Sequence, residues 1–484
     1  MATIATRPQS ITLDPVSRVE GHLKVEVTVD LVSGRQGVVD AKVSGLLFRG
    51  VERILANRTP LDAPDITQRI CGVCPVSHAL AACMTLEKAA GLTPPSNARI
   101  MRNLVLGSNF LQSHILHFYV LSALDFVDGP AMAPWRPSWS GGKRLVDPDP
   151  AAKRLVDHYV KALDMRTKCH EMGAIFGGRL PHPPTFVPGG FTTTPRPQRI
   201  TQFKQYLGEI TRFINEIYIP DVNLVGSVYK DYFAIGGGYR NLLAYGVFDQ
   251  DDAGVSKLFK QGASYRGSPP VPTVDTAAIT EKVTYSWYQS SSDNLNPVKG
   301  ATMPQFPKRD AYSWLKSPRY KVEPCEVGPL ARMWASGYYQ SGVSVMDRHL
   351  SRAQEALKIA EAMAKWVNEL NPAAPVYYPY TVPASGSGVG LTEAARGALG
   401  HWINISGEKT ANYQIITPTC WNASPKDETN KRGPLEEALI GTPVENPDEP
   451  IEVVRVIHSF DPCLSCAVHV MRPSEKARIF TLGL

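Results

Sequence analysis

Four cysteines constrain this chain most, because they form two CxxC pairs near opposite ends of a 484-residue sequence. The pairs are Cys71/Cys74 and Cys463/Cys466. Two thiolates at i and i+3 can face one metal, and four sulfur ligands suit zinc, an iron-sulfur cluster or another thiophilic metal. A zinc ribbon joins its pairs through about 15–20 residues, whereas here most of the chain lies between them. The spacing alone leaves both a structural zinc and a catalytic metal open.

A histidine stands close to each pair. His78 follows the first pair in DITQRICGVCPVSHAL, and His469 follows the second in VIHSFDPCLSCAVHV. Polar groups beside a metal orient and tune its ligands, which a closed structural zinc site does not require. The two neighbourhoods therefore favour a redox or catalytic metal.

Composition excludes several other classes of protein. Hydrophobic residues make up 43% and charged residues 20%, which is typical of a folded globular chain, and eight cysteines are too few for a disulfide scaffold. The net charge of +6 comes from scattered Lys and Arg, so no concentrated basic face for nucleic acid is expected. No apolar run reaches about 18 residues, and the N-terminus has no apolar signal segment. We expect no membrane span and no nucleic-acid partner.

Hydrophobic periodicity predicts a mainly α fold with small β elements (α+β), formed as one domain over residues 1–484. Apolar and polar residues alternate over 22–48, which predicts a β-hairpin, and a second β excursion is predicted over 265–298. Ser344 or Asp347 is the expected N-cap of the clearest amphipathic helix. Helices are predicted over 99–127, 150–171, 198–217, 344–371 and 434–440.

Several motifs together resemble the large, catalytic subunit of nickel-iron hydrogenases. Beside RxCGxCxxxH and DPCxxCxxH, they are RVEGH (18–22), HFYVLSALDFV (117–127), HEMGAIFGGRLPHP (170–183), ARGALGHW (395–402) and PTCWNASPKD (418–427). The resemblance spans essentially the whole chain. It implies the helical body of that family and reversible heterolytic cleavage of H2 into protons and electrons at a buried Ni-Fe centre.

The same resemblance assigns the four cysteines. Cys71 and Cys463 would be terminal nickel ligands, while Cys74 and Cys466 would also bridge to an iron that carries cyanide and carbon monoxide. Cys463 is the favoured first proton acceptor. Glu20, in RVEGH, would be the proton gate, acting as a buried carboxyl with a raised pKa; a surface or capping carboxylate is the alternative.

Three further residues match the surroundings of that centre. Arg396 resembles the arginine over the open metal position, Asp461 its carboxylate partner, and Thr419 the hydroxyl that donates to a cyanide. The alternatives are that Arg396 and Asp461 form only a buried ion pair, or that Asp461 only begins an Asp-Pro turn. The chain has Ala395 where the family often has proline, and Ser113 where it often has aspartate, which leaves oxygen tolerance open.

A magnesium site is also implied. Glu52 and His469 match its side-chain ligands and Ile415 its backbone carbonyl, with a purely structural role for the histidine as the alternative. No chemistry is predicted for the cysteines outside the pairs, which are expected to be small buried residues: Cys83, Cys169, Cys325 and Cys420.

The resemblance further implies processing and partners. Residues 470–484 match the C-terminal peptide that an endopeptidase removes after His469, once nickel-insertion factors have acted. The chain has no further cysteine set for an electron relay, so an iron-sulfur small subunit is expected to receive the electrons. A periplasmic or membrane-associated location through that subunit is favoured over a cytoplasmic one. The rival classes are the quinone-site subunit of respiratory complexes, which lacks the cysteine pairs, and a structural zinc scaffold.

Overall fold

The computed structural model describes residues 8–32, 34–136, 138–139 and 141–467, with only the backbone of Cys466 and Ala467. Helices account for 41% of the structure, and the sheets are small. The predicted α+β class is therefore confirmed. None of the helices in these ranges is long and apolar enough to cross a membrane.

The helices within this part of the chain are α1 Val51–Leu55, α2 Ala63–Gln68, α3 Pro75–Ala90, α4 Ser96–Leu116, α5 Pro150–Gly177, α6 Pro197–Phe213, α7 Ile219–Val228, α8 Pro329–Ala335, α9 Val345–Glu369, α10 Pro418–Asn422, α11 Pro434–Leu439, α12 Ile451–Ser459 and α13 Leu464–Ala467. The strands are β1 Gln9–Leu13, β2 Leu23–Val32, β3 Arg35–Gly45, β4 Phe186–Val187, β5 Gly190–Phe191, β6 Leu242–Ala244, β7 Val247–Asp249, β8 Lys257–Phe259, β9 Gly262–Ser264, β10 Ile279–Lys282, β11 Ser317–Tyr320, β12 Ser385–Ala394, β13 Gly397–Ser406 and β14 Lys409–Ile416.

The long helices follow the predicted periodicity. α4 packs against both α5 and α9, and its apolar side chains, such as Leu104, Leu111 and Ile115, are buried. The predicted helix over 99–127 ends as an α-helix at Leu116 and continues as a π-helical segment, His117–Ser122. The other four predicted helices are confirmed as α5, α6, α9 and α11. Of the two predicted N-caps for α9, Ser344 is correct, because its hydroxyl accepts the amide N–H of the third helical residue.

The predicted N-terminal hairpin is also confirmed. β2 and β3 pair antiparallel, and β1 adds a third strand along β2. The β excursion predicted over 265–298 is confirmed only in part. That segment contains one strand, β10, which pairs with β11 outside it, and four residues in isolated β-bridges, while the rest consists of turns, short 3-10 helices and irregular backbone.

A second antiparallel sheet, β12–β13–β14, was missed by the sequence analysis. Most of β13 is buried on both faces, so its residues do not alternate between apolar and polar, which is the usual signal of a strand. α3 packs on β12 and β13. This contact places the start of α3, just after the first cysteine pair, beside the sheet that carries ARGALGHW.

The two ends of the described chain meet through the backbone. The N–H of Glu20 donates to the carbonyl of Pro462 at 3.4 Å, and the N–H of Leu464 donates to the carbonyl of Glu20 at 2.6 Å. Gly21 makes this approach possible, with φ +84°; an added Cβ would lie 2.8 Å from the amide nitrogen of Ser465. The RVEGH segment is therefore held directly against the second cysteine motif.

Candidate metal centre

Three thiols from opposite ends of the chain converge in the interior. The Sγ atoms of Cys71, Cys74 and Cys463 all lie within 4.8 Å of one another, and those of Cys71 and Cys463 are 3.3 Å apart. All three side chains are buried. The side chain of Cys466 and the whole of His469 lie outside the described residues, so the predicted roles of these two stay predictions.

The first motif wraps its backbone around one sulfur. The amide N–H groups of Val73 and Cys74 point at the Sγ of Cys71, with N···S distances of 3.2 and 3.4 Å. Cys74 is the N-cap of α3, and Pro75 follows as its first residue. Amide donors and a helix N-terminus both stabilise negative charge on sulfur. The loop therefore favours thiolates, the form in which cysteine binds metals.

The second motif is held by two side chains predicted for the site. The N–H of Cys463 donates to the hydroxyl oxygen of Thr419 at 3.0 Å, which leaves the Thr419 O–H available as a donor. Glu20 Oε2 accepts the N–H of Ser465 at 2.9 Å and lies 3.1 Å from the Sγ of Cys463. A carboxylate oxygen is thus within hydrogen-bond distance of the sulfur predicted to receive the first proton.

Glu20 differs from expectation in one respect. The family resemblance predicts a buried carboxyl, but the side chain is partly exposed in this chain. The reason is its place in the short segment between β1 and β2, where one side of the backbone packs on the second cysteine motif and the other does not. Contact with the sulfur is therefore combined with access to the surface.

Arg396 and Asp461 form a buried ion pair beside the sulfurs. Arg396 Nη2 lies 3.0 Å from Asp461 Oδ1, and Arg396 Nε donates to the Asp461 carbonyl at 3.1 Å. Burial alone would lower the pKa of Arg396, but Asp461 and then the nearby cysteines raise it well above its ordinary value. The Nη1 group of Arg396 is buried and has no hydrogen-bond partner among the described residues. A charged donor is therefore left beside the thiol cluster.

Two neutral histidines support the first motif. His78 Nδ1 lies 3.2 Å from His401 Nε2, and His401 Nδ1 lies 2.8 Å from the hydroxyl of Tyr413. Burial lowers the pKa of His78 to about 4 and that of His401 well below its usual value. This chain of rings fastens the first turn of α3 to β13 and β14.

Glu52 and Ile415, two of the three residues predicted to bind magnesium, line a small cavity of about 30 Å³. Glu52 Oε1 accepts the N–H of Ile415 at 2.8 Å, and Oε2 accepts the hydroxyl of Thr302. Glu281 and Lys316 also line the cavity and pair with each other at 2.9 Å. The volume suits one water or a small ion, and the carboxylate oxygens are ligands that magnesium prefers. A ligand role for the Ile415 carbonyl stays a prediction.

Sequence reasoning missed two arginines that hold the site together. Arg49 donates to the carbonyls of Arg69 and Ile70 in the first motif and to the carbonyl of Ser465 in the second, at 3.0 Å. Arg332 donates to the carbonyls of Ala394 and Ala395, the two residues before Arg396. Arg49 stands three residues before Glu52 in FRGVERIL, and this position was a usable signal for a role at the site. Nothing local marks Arg332, since its partners come from distant parts of the chain.

The cysteines outside the pairs are buried, as predicted. Burial raises the pKa of Cys325 to about 12 and that of Cys420 to about 11. It also raises the pKa of Cys83 and Cys169. These thiols are held in the protonated form, which suits small apolar side chains rather than metal ligands.

A family model described as nickel-dependent hydrogenase matches this chain over residues 49–138, 129–342 and 337–469. The chain belongs to the nickel-dependent hydrogenase family. A second model, described as HoxL-like, matches residues 10–42. Membership of the hydrogenase family excludes the zinc-scaffold interpretation and confirms that the chain is part of an enzyme.

Individual hydrogenase subunits are similar over almost their whole length. The periplasmic [NiFeSe] hydrogenase large subunit of Desulfomicrobium baculatum is 42% identical, covering 95% of each chain. The uptake hydrogenase large subunit of Rhizobium leguminosarum bv. viciae is 34% identical over 99% of this chain and 98% of that protein. The oxidised Ni-Fe-Se hydrogenase of D. vulgaris Hildenborough superposes with a TM-score of 0.91 at 41% identity, covering 96% of this chain and all of that one. These comparisons confirm the family resemblance and the hydrogenase large-subunit fold.

Proposed function

We propose that this chain is the catalytic subunit of a nickel-iron hydrogenase that cleaves H2 reversibly and heterolytically at a Ni-Fe centre. Cys71, Cys74, Cys463 and Cys466 would hold nickel, with Cys74 and Cys466 bridging to iron. The observation that carries the proposal is the convergence of buried sulfurs from both chain ends beside Arg396. When bound, the centre supplies the redox-active position at which H2 is split into protons and electrons.

The residues present fit such a group. Sulfur ligands suit nickel, and the unpartnered Nη1 of Arg396 offers a donor to an anionic ligand such as an iron-bound cyanide. The hydroxyl of Thr419 retains an O–H that could donate to a second anionic ligand of the same kind. The names of two relatives include selenium, whereas all four motif positions of this chain are cysteine. We therefore propose an all-sulfur ligand set.

The proposed proton route starts at Cys463 and passes to Glu20. Their Sγ and Oε2 atoms are 3.1 Å apart, so one proton can move along a single hydrogen bond. The Ser465 N–H fixes the receiving oxygen, and partial exposure of Glu20 offers an exit toward water or a partner surface. Asp461 pairs with Arg396 beside the sulfurs.

We also propose Mg²⁺ at the small cavity beside Glu52. Glu52 would supply a carboxylate oxygen, Ile415 a carbonyl, and His469 an imidazole, with water completing the shell. The cavity is lined by residues from distant parts of the chain, including Phe48, Trp314 and Cys420, so an ion there would link them.

Elemental and infrared analysis of the purified holoenzyme tests the centre. We expect about one nickel and one iron per chain, because four thiolates can hold one such pair, and infrared bands from metal-bound cyanide and carbon monoxide. Zinc alone, without these bands, would refute the proposed function. Magnesium measured after removal of loosely bound ions tests the second site independently.

Maturation is proposed to remove residues 470–484 after His469. Nickel-insertion factors and an endopeptidase would be the transient partners. Intact-mass measurement of active, nickel-loaded enzyme should give a large subunit lighter by that peptide, while chain produced without nickel should keep it. Active, metal-loaded protein of full mass would contradict this prediction.

An iron-sulfur small subunit is the proposed permanent partner. The electrons released from H2 need a carrier, and no second metal-ligating cluster with cysteines occurs among the residues that the structure describes. A periplasmic or membrane-associated location through that subunit is proposed, since one of the relatives is named as periplasmic; a cytoplasmic location is the alternative. Purification of the native complex with analysis of acid-labile sulfide tests the partner.

A further inference from the structure

Arg396 lies at the tip of a hairpin. β12 and β13 pair until Ala394 faces Gly397, so Ala395 and Arg396 are the two residues of the turn. The orientation of the Arg396 guanidinium therefore depends on how firmly this tip is held. A charge-bearing side chain on a two-residue turn needs support from outside the hairpin to stay in one place.

The start of α8 supplies a close backbone contact to the tip. Gly397 has φ +138°, and a Cβ on it would lie 2.8 Å from the amide nitrogen of Gly328. A Cβ on Gly328 would in turn lie 3.2 Å from the carbonyl oxygen of Arg396. Gly328 and Gly397 thus let the segment before α8 lie directly on the turn. A larger residue at either position would push that segment and the turn apart.

Arg332, in the first turns of α8, binds the strand end next to this turn. Its Nη1 donates to the carbonyl of Ala394 at 3.0 Å, and its Nη2 donates to the carbonyl of Ala395 at 2.8 Å. The remaining N–H groups bind two carboxylates, Glu355 at 2.7 Å through Nε and Nη2, and Glu393 at 2.9 Å through Nη1. Every N–H of the guanidinium has an acceptor, and the side chain is fully buried.

We propose that Arg332 is a positioning residue for Arg396, holding the hairpin tip so that the Arg396 guanidinium stays over the metal site. The inference rests on the proposed function, in which Arg396 faces the Ni-Fe centre. Glu355, on α9, pairs with the Arg332 guanidinium. The carbonyls of Ala394 and Ala395, which precede Arg396, accept hydrogen bonds from the same guanidinium. The flat, five-donor fork of arginine can serve all these acceptors at once, which the ammonium of lysine cannot.

This arrangement also bears on Ala395, the residue of the turn that precedes Arg396. Proline would restrict the turn through its own ring. In this chain the residue before Arg396 is free of that restraint, and the hydrogen bond from Arg332 to its carbonyl restrains it instead.

The test compares Arg332→Lys with Arg102→Lys in the purified holoenzyme. Arg102 is a matched control, because it is also buried, binds Glu87 through two bonds and donates to two carbonyls, those of Val187 and Gly190. We expect Arg332→Lys to keep its nickel, to shift the cyanide infrared bands and to lower kcat for H2 oxidation about 10- to 100-fold with little change in KM. Arg102→Lys should lower the melting temperature to a similar extent without moving the bands.

If Arg332→Lys fails to fold, the double variant Arg332→Met/Glu355→Met replaces it, because removing both partners leaves neither of them as an unpaired buried charge. Burial raises the pKa of Glu393 to about 7, so this variant is measured at pH 6, where that carboxyl can be protonated. Unshifted cyanide bands and unchanged kcat in the folded variant would overturn the positioning role alone. A parent enzyme without nickel or cyanide bands would overturn the proposed function and the inference with it.

Discussion

Replacing Cys71 by serine is expected to abolish nickel binding and H2-dependent activity. The Cys71 sulfur lies 3.3 Å from that of Cys463 and accepts two backbone N–H groups, so it is prepared to carry negative charge. A serine hydroxyl is not deprotonated at neutral pH and is a harder, weaker ligand for nickel. Removing a residue that only hydrogen-bonds a metal ligand lowers metal affinity or activity about 10- to 100-fold. Removing the ligand itself should cause a larger loss.

Cys169→Ser is the matched control for this experiment. Cys169 is equally buried but lies in α5, and the structure places it outside the thiol cluster. Nickel content by mass spectrometry and H2 oxidation rate should both stay near the parental values in the control. Parental nickel content in Cys71→Ser would refute the assignment of Cys71 as a ligand.

Replacing Glu20 by glutamine is expected to suppress hydrogen-deuterium exchange about 10²- to 10⁴-fold, the usual range for losing a general acid-base group. Glutamine can still accept the N–H of Ser465, so the backbone contact with the second cysteine motif survives. It cannot carry the proton from the Cys463 sulfur. Nickel and iron contents should therefore remain those of the parent, and isotope exchange monitored by membrane-inlet mass spectrometry gives the rate.

Glu26→Gln serves as the control for the Glu20 variant. Glu26 lies six residues further along, on β2, where it pairs with Lys24 at the surface at 3.1 Å. The control should keep parental exchange, and Glu20→Asp should restore part of the rate because it returns a carboxylate. Full exchange in Glu20→Gln would show that protons leave by another group.

Much of the fold could be predicted because its signals are local. The apolar spacing that defines α4, α5 and α9 can be read within each segment, and the alternation in β2 and β3 reflects one buried face. The sheet of β12, β13 and β14 escaped prediction because burial on both faces removes that alternation. Arg396 lies in the turn between β12 and β13, so part of the site's support was missed with them.

The sequence by itself determined the chemistry available at the centre. Each CxxC motif supplies two cysteines at i and i+3, a spacing at which both thiolates can face one metal, and RVEGH, Arg396 and Asp461 stand in motifs that resemble one enzyme family. The tertiary structure alone decided what these groups contact. It placed Glu20 at the Cys463 sulfur yet partly exposed, and it gave Arg49 and Arg332 their carbonyl acceptors. Local spacing sets the ligands of one turn, whereas contacts between distant segments depend on how helices and sheets pack, which no local pattern records.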